Sequence, residues 1–198
     1  AALALAPFAL MAVTSFVKTT IVLSLLRSGL GTPQIPSDPV VAGIALSLTA
    51  FVMAPVAAEA AARVRASGVD TSTASGAIAA ASVAVEPVRA FLLRNTRADE
   101  IALFVDLSTR NGREPLPPDA LEVLVPAFVT SELRRAFIAG FFILVPFLVV
   151  DLVVSNILMS MGMVMVSPAT VSLPFKVMLF VLVDGWPMLM RGLALGYH

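Results

Sequence analysis

Residues 159–186, MSMGMVMVSPATVSLPFKVMLFVLVDGW, place four alternate methionines, two prolines, a lysine and an aspartate in an otherwise apolar stretch. A charged side chain costs roughly 2.5 to 3.5 kcal/mol at the centre of a membrane helix, so Lys176 and Asp184 are expected to face protein or water and not lipid. An inert anchor needs neither these charges nor the methionines. The stretch therefore predicts a membrane protein that does more than anchor another domain.

The composition of the whole chain indicates an integral membrane protein. Hydrophobic residues make up 59% of its 198 residues, and the mean hydropathy is +0.96. Charged residues make up 13%, where about 25% is usual. The formal net charge is zero, and no basic run of the kind that binds phosphates is present, which argues against a nucleic-acid partner.

The sequence lacks the usual motifs of catalytic, nucleotide-binding and metal-binding sites. The chain has no cysteine and a single histidine, His198, at its last position, which excludes disulfides, thiolate sites and zinc sites of the HExxH type. It also has no P-loop. We predict no catalytic, cofactor-binding or metal-binding residue, and we do not expect an enzyme.

The first 58 residues predict an apolar helical hairpin. One helix is expected from Leu3 to Leu26, long enough for a bilayer of about 30 Å. The segment GTPQIPSDP, residues 31–39, holds three prolines and predicts a tight reversal. A second helix is expected from Val40 to Ala58.

Residues 59–122 predict a small helical region outside the membrane. This span holds seven arginines and nine acidic residues, more than half of all charges in the chain. Alanine-rich segments at 57–64 and 77–85 favour helix, with a break between them at residues 67–76. Residues 86–107 show apolar side chains at spacings of three and four within two halves, an amphipathic helical pattern.

Residues 123–198 predict a second apolar hairpin. Its first arm is expected over 123–154 and its returning arm over 171–195, with the methionine-rich segment at the tip. Met159, Met161, Met163 and Met165 would lie on one side of an extended loop but on opposite faces of a helix. They are either a flexible seal that repacks around irregular contents or filler in a tight turn, and the local sequence leaves both open.

Five charges in the apolar hairpins need partners. Lys176 and Asp184 would lie about 12 Å apart along one helix, too far to pair. Asp151, on the facing arm or in a neighbouring subunit, is the candidate partner for Lys176. Glu132 and Arg135 are three residues apart and can neutralise each other on one helix face. Structural charge satisfaction is the preferred interpretation, with proton relay as the other.

Three long stretches resemble one known family. VTSFVKTTIVLSLLRSGLGTPQIP at 13–36, EPVRAFLLRNTRADEIALF at 86–104, and residues 124–186, from LVPAFVTSELRRAF to LVDGW, resemble the FliP/SctR family of the type III secretion and flagellar export gate. The likeness implies an all-α subunit of helical hairpins that assembles into a helical oligomeric pore. Five copies would join the T, S and U subunits and line the conduit for unfolded secreted proteins.

The resemblance also implies roles for individual residues. Met161, Met163 and Met165 fall on the family's methionine-rich gasket, which closes the pore. Phe91, Phe104 and Glu132 fall on positions that look like contacts between neighbouring subunits. The implied location is the bacterial inner membrane, with the gate assembled toward the periplasmic side. The short region before the first hairpin favours an injectisome over a flagellum.

A small proton-coupled membrane transporter is the alternative function. Buried Asp151, Lys176 and Asp184 would be its working groups, because intramembrane carboxylates and amines in broken apolar segments mark transport sites. Four apolar segments without an internal repeat are few for such a protein. The two functions differ in whether the single chain works alone or only in an assembly.

Overall fold

The computed structural model describes residues 11–70, 72–110, 114–163 and 165–197, and this part of the chain is helical without a strand. The predicted all-α class is therefore confirmed. Its helices are α1 (Phe16–Gly29), α2 (Asp38–Ala66), α3 (Ala74–Asn95), α4 (Ala98–Thr109), α5 (Leu121–Ser160), α6 (Pro168–Leu182) and α7 (Gly185–Leu195).

The described residues form two compact units. The first contains residues 11–17, 49–133 and 197, and the second contains residues 18–48 and 134–196. The segment boundaries drawn from composition, after residues 58 and 122, both fall inside helices, α2 and α5. The three sequence segments predict which parts of the chain lie in the membrane, and this stays a prediction. The two units are groups of residues that pack together.

The first unit has an aromatic core. The Phe91 ring lies 5.8 Å from that of Phe128 and 5.9 Å from that of Tyr197, measured between centroids. The buried members of this core are Val56, Phe91, Leu92, Leu124 and Phe128. The two halves of the amphipathic pattern are two helices, because α3 ends at Asn95 and α4 begins at Ala98. The predicted helical character of residues 86–107 is confirmed, and the structure adds the break between the two helices.

Polar side chains organise the junction between α3 and α4. At the end of α3 the Leu92 carbonyl accepts two hydrogen bonds from Thr96, one from its Oγ1 at 2.6 Å and one from its backbone N–H at 2.9 Å. Arg97 then donates through Nε to Asp99 Oδ1 at 2.9 Å. This hydrogen bond from the Arg97 guanidinium holds the pKa of the Asp99 carboxyl below its ordinary value. Asp99 also lies in the first turn of α4, where a negative charge is favourable.

The second unit begins with the predicted hairpin. Arg27, in the last turn of α1, donates to Asp38 Oδ1 at 2.6 Å and to the Pro36 carbonyl at 3.0 Å, so it joins the end of α1 to the start of α2. Leu23 and Leu26 of α1 lie beside Val41 and Ile44 of α2. The reversal over residues 31–39 is confirmed.

Both helices of this hairpin differ in length from the prediction. A turn at residues 13–15 precedes α1, and the Phe16 N–H donates to Thr14 Oγ1 at 3.4 Å. A single helix from Leu3 to Leu26 is therefore wrong over this turn, since threonine and serine hydroxyls compete for backbone groups, and residues 3–10 lie outside the described part. The second helix, α2, is longer than predicted. It ends at Ala66 and not at residue 58, because the alanine-rich segment favours helix.

The returning arm of the second hairpin is broken. One helix over 171–195 is expected from its apolar composition, but α6 ends at Leu182 and α7 starts at Gly185, with a bend of 62° between them. Asp184 has φ +51°, a left-handed conformation that aspartate tolerates better than most residues. A Cβ on Gly185 would lie 2.2 Å from the Phe180 ring, so only glycine permits this close approach. Lys176 and Asp184 are thus not on one helix.

Several helices are long and apolar enough to cross a membrane. Within the described residues these are Asp38–Ala66, Ser75–Asn95 and Leu121–Ser160, and the bent pair α6 and α7 makes a fourth candidate if it counts as one span. The 40 residues of α5 correspond to about 60 Å of helix, twice a hydrocarbon thickness of about 30 Å. Ser75–Asn95 lies in the segment 59–122, which composition predicts to be outside the membrane. Its length and hydropathy are nevertheless those of a membrane-spanning helix.

Candidate functional site: a buried ion pair and a methionine loop

Lys176 lies buried on α6 and is bound by two other helices. Its side chain is 5% exposed, and Nζ donates to Asp151 Oδ2 of α5 at 2.6 Å. Nζ also donates to the Gly29 carbonyl of α1 at 3.1 Å. The expectation that Asp151 on the facing arm pairs with Lys176 is confirmed within a single chain.

Ser172 supports the carboxylate from the same face of α6. Its Oγ lies 2.6 Å from Asp151 Oδ1 and 3.2 Å from the Ala169 carbonyl oxygen, and the side chain is fully buried. Ser172 and Lys176 are four residues apart, so they point to one side of the helix. Each Asp151 oxygen therefore has its own donor, and hydrogen bonds of this kind, to a charged group, are roughly twice as strong as neutral ones.

The position of Gly29 explains why a backbone oxygen takes part. Gly29 is the last residue of α1, where the final carbonyls have no partner within the helix and carry the negative end of the helix dipole. A lysine ammonium is well suited to this place, since it supplies both a donor and a positive charge. The pair thus joins α1, α5 and α6, and we call Lys176, Asp151, Ser172 and the Gly29 carbonyl the three-helix clamp.

The methionine loop, residues 161–167, connects α5 to α6. The Gly162 N–H donates to the Met159 carbonyl at 3.0 Å and the Met163 N–H to the Leu158 carbonyl at 3.0 Å. With Gly162 at φ +75°, these two bonds form the Schellman motif that commonly ends helices. The Val166 N–H then donates to the Met163 carbonyl at 3.4 Å in a further turn. The described residues of the loop therefore lie in turns and not in an extended strand.

The four methionines occupy different backbone settings. Met159 lies in the last turn of α5, because the helix continues to Ser160, so the four methionines do not share one loop. Met161, Met163 and Met165 lie in the loop itself. All four side chains are exposed in the single chain, and Met165 is fully exposed. Their sealing of a pore stays a prediction.

An apolar groove runs beside the clamp in the second unit. Its volume is about 530 Å³, and it is lined by side chains of α5, α6 and α7, together with Lys18 and Val22 of α1. Phe142 and Met188 on its rim are largely exposed. Apolar surface on this scale marks a site that lipid or another protein covers.

The other predicted charges have varied surroundings. Glu132 is fully buried, and Tyr197 donates its hydroxyl proton to the Glu132 carboxylate. Arg135 is half-buried, and its pairing with Glu132 stays a prediction. Asp184 is exposed at the break before α7, so its burial stays a prediction for an assembled state.

The two phenylalanines implied as subunit contacts are not equivalent. Phe91 is 3% exposed and belongs to the core of the first unit, so the packing of the single chain already explains it. Phe104 on α4 is half-exposed. A contact with a neighbouring subunit at either position stays a prediction, and Phe104 has the more accessible surface for one.

Sequence reasoning missed three partners of these charges. Ser172 could have been found from its i, i+4 spacing to Lys176, which places a hydroxyl beside the expected ion pair. The Gly29 carbonyl and the Tyr197 hydroxyl are 147 and 65 residues away from the groups that they bind. No local pattern signals a contact over such a separation.

The clamp and the loop define a class of protein: a multi-helix membrane component in which the buried Lys176 is paired within the chain and flexible thioethers are exposed after the end of a long helix. The model of the FliP family matches residues 1–193. The chain belongs to the FliP family, as the motifs at 13–36, 86–104 and 124–186 predicted.

Individual relatives come from flagellar and secretion systems. Flagellar biosynthetic protein FliP of Pectobacterium carotovorum subsp. carotovorum is 48% identical over 97% of this chain and 74% of its own length. Yop proteins translocation protein R of Yersinia pestis is 44% identical over 98% of this chain and 92% of its own. Hypersensitivity response secretion protein HrcR of Ralstonia nicotianae is 41% identical over 100% and 94%, respectively.

Proposed function

We propose that this chain is a core subunit of a bacterial type III export apparatus, and that several copies encircle a conduit for unfolded secreted proteins. The observation that carries the proposal is the match of the FliP family over residues 1–193. Relatives named for flagellar biosynthesis, Yop translocation and hypersensitivity response secretion share 41 to 48% identity with it. Export is the activity common to these systems.

The methionine loop is the part of the chain that we assign to closing the conduit. Irregular backbone does not face hydrocarbon, so a loop of two turns has to lie against water or protein. Met161, Met163 and Met165 present flexible, polarisable side chains there. A ring of such loops from several copies would form an apolar constriction that blocks ions and repacks around a passing polypeptide.

The apolar surface of α5 supports assembly. Its exposed large side chains include Phe137, Phe141, Phe142, Leu148 and Leu152. Surface of this size requires covering by lipid or by neighbouring subunits. We assign it to contacts in the bacterial inner membrane, among about five copies of this chain and with T, S and U subunits, with the gate toward the periplasmic side.

The geometry of the clamp favours a structural role over proton transport. A transporter using Asp151, Lys176 and Asp184 needs groups that exchange protons along one path. Here both Asp151 oxygens have donors, and Lys176 is held by Asp151 and the Gly29 carbonyl. Asp184 lies at the break between α6 and α7. We assign the clamp to joining helices, and we assign no enzymatic step to the chain.

Ion leakage tests the role of the loop. Met161, Met163 and Met165 are replaced together by alanine in the chain co-expressed with its T, S and U subunits, and leakage across the membrane is measured. Truncating three thioethers in one constriction should raise the leak severalfold. The matched control replaces Met178 and Met188, two exposed methionines on α6 and α7, which leaves the loop intact. An unchanged leak in the loop variant contradicts the sealing role.

The native mass of the purified complex tests the assembly. A gate subunit should appear as a multiple of the 20.7 kDa chain, with further mass from partner subunits. A transporter working alone should appear as a single chain and should catalyse uptake in proteoliposomes. A solitary, active monomer contradicts the proposal.

A further inference from the structure

We infer that the methionine loop is also an oxidation site, at which hydrogen peroxide in the surrounding water converts Met161, Met163 and Met165 to sulfoxides and loosens the seal. The site itself follows from exposure and backbone geometry. Its effect on leakage rests on the proposed function. Oxidation would then link the ion permeability of the gate to the oxidants outside the cell.

Three exposed methionines lie close together in the loop. Met165 is 101% exposed, Met161 62% and Met163 45%, all within five residues. Their sulfurs are soft and polarisable, and oxidation of a methionine is favoured where an oxidant reaches the sulfur. The loop therefore concentrates three accessible thioethers in one short segment. From exposure alone, Met165 should react first.

The backbone of the loop keeps these sulfurs out of lipid. Met163 and Val166 close a turn, and Gly162 ends α5 in a left-handed conformation, so the peptide groups of the loop are not all satisfied by helix hydrogen bonds. Such backbone is excluded from lipid. Met178 and Met188 are also exposed, at 54% and 70%, but they lie on the helices α6 and α7, whose bent pair is a candidate span. Lipid would shield them from an aqueous oxidant.

The chemistry is a two-electron oxygen transfer. A lone pair of the thioether sulfur attacks one oxygen of hydrogen peroxide, the O–O bond breaks and an S–O bond forms. The departing hydroxide and the proton left on the transferred oxygen combine as water. Sulfur is oxidised by two electrons and peroxide is reduced, so one peroxide yields one sulfoxide and one water. Methionine sulfoxide reductases reverse the change.

The product has different packing properties from the thioether. A sulfoxide is polar and accepts hydrogen bonds, whereas the thioether is a flexible apolar group. An apolar constriction blocks ions because water leaves it, so polar groups in the constriction allow it to hydrate. Sulfoxides in several neighbouring loops should therefore raise the ion permeability of the closed gate.

Mass mapping tests the site. Membranes carrying the full chain with its partner subunits are treated with graded hydrogen peroxide, and sulfoxide is quantified at each methionine. The sulfoxide fraction at Met161, Met163 and Met165 should exceed that at Met178 and Met188 by about threefold or more at partial conversion, given the dependence of oxidation on access. Equal or lower oxidation in the loop overturns the inference.

Leakage after oxidation tests the consequence. Peroxide should raise the leak by about twofold or more, and a methionine sulfoxide reductase should restore it. A variant with Met161, Met163 and Met165 replaced by leucine is compared with its own untreated level and should show no rise. A rise in leakage of the leucine variant after peroxide treatment overturns the inference. If the alanine variant leaks, the inference is also overturned when sulfoxides form in the wild-type loop but leakage stays unchanged. If the alanine variant does not leak, the sealing role fails while mass mapping still decides the site.

Discussion

Lys176 Nζ lies 2.6 Å from Asp151 Oδ2, although the residues are 25 positions apart and on different helices, α6 and α5. This distance fixes how the two arms of the C-terminal hairpin meet on either side of the methionine loop. The Gly29 carbonyl adds α1 to the contact. The buried charge of Lys176 is thus neutralised within the chain.

Replacing Lys176 by methionine should destabilise the isolated chain. Breaking a buried ion pair costs about 3 to 5 kcal/mol because it leaves the other charge without a partner. The Asp151 side chain is 36% exposed, so solvent reduces the loss, and we expect about 1 to 3 kcal/mol in the free energy of unfolding in detergent. Lys176→Met combined with Asp151→Asn should recover part of this loss. Equal losses in both variants contradict the ion pair.

Ser172→Ala should weaken the clamp without removing a charge. The variant loses the hydroxyl that donates to Asp151, and a hydrogen bond to a charged group contributes about 1.5 to 3 kcal/mol. The free energy of unfolding should fall by about 1 to 2 kcal/mol. Ser160→Ala is the control, since that exposed hydroxyl only donates to the Ile157 carbonyl in its own turn. Similar losses in both variants would show that the Asp151 contact adds nothing.

Gly140→Ala should disturb the packing of α5 on α1. A Cβ at this position would lie 2.1 Å from Leu25 Cδ1 and 3.2 Å from Leu25 Cβ. Overpacking of this kind costs about 1 to 3 kcal/mol of unfolding free energy. Gly43→Ala is the matched control, because a Cβ there meets nothing within 4 Å and α2 gains helix propensity. A Gly140 variant as stable as the Gly43 variant contradicts the close helix contact.

Phe91→Ala and Phe104→Ala should separate folding from assembly. Phe91 is buried against Phe128 and Tyr197, so its truncation should cost about 3 to 5 kcal/mol in the stability of the single chain. Phe104 is half-exposed, so its truncation should cost less than about 1.5 kcal/mol. If Phe104 contacts a neighbouring subunit, its variant should lower the yield of complex by native mass spectrometry. Full assembly of that variant removes the predicted contact.

Asp99→Asn should change how stability depends on pH. Because the hydrogen bond from Arg97 lowers the pKa of Asp99, the carboxylate is favoured in the folded state. Its contribution is present above the ordinary pKa of 3.8 and is lost as the pH falls through the lower folded-state value. The difference in thermal unfolding midpoint between wild type and Asp99→Asn should be present at neutral pH and vanish in strong acid. A difference that persists below both pKa values would need another cause.

Local patterns predicted the helices but not all of their ends. The hairpin turn at 31–39 was predictable, because each proline restricts the residue before it. The helical character of residues 86–107 was predictable from the spacing of their apolar side chains. The break at Asp184 was not, since the run from Val171 to Leu195 is apolar enough to read as one helix. The break depends on the Phe180 ring lying against Gly185, which composition does not encode.

The sequence by itself determined that this chain is helical and apolar enough for a membrane. It also determined that Lys176, Asp184 and the other charges of the apolar segments need polar or charged partners. These properties depend on composition and on interactions within a few residues. Only the tertiary structure decided which partners are used: Asp151, Ser172 and Gly29 for Lys176, and Tyr197 for Glu132. A helix that is apolar on every face has no preferred orientation in its sequence, so its packing is set by contacts between distant residues.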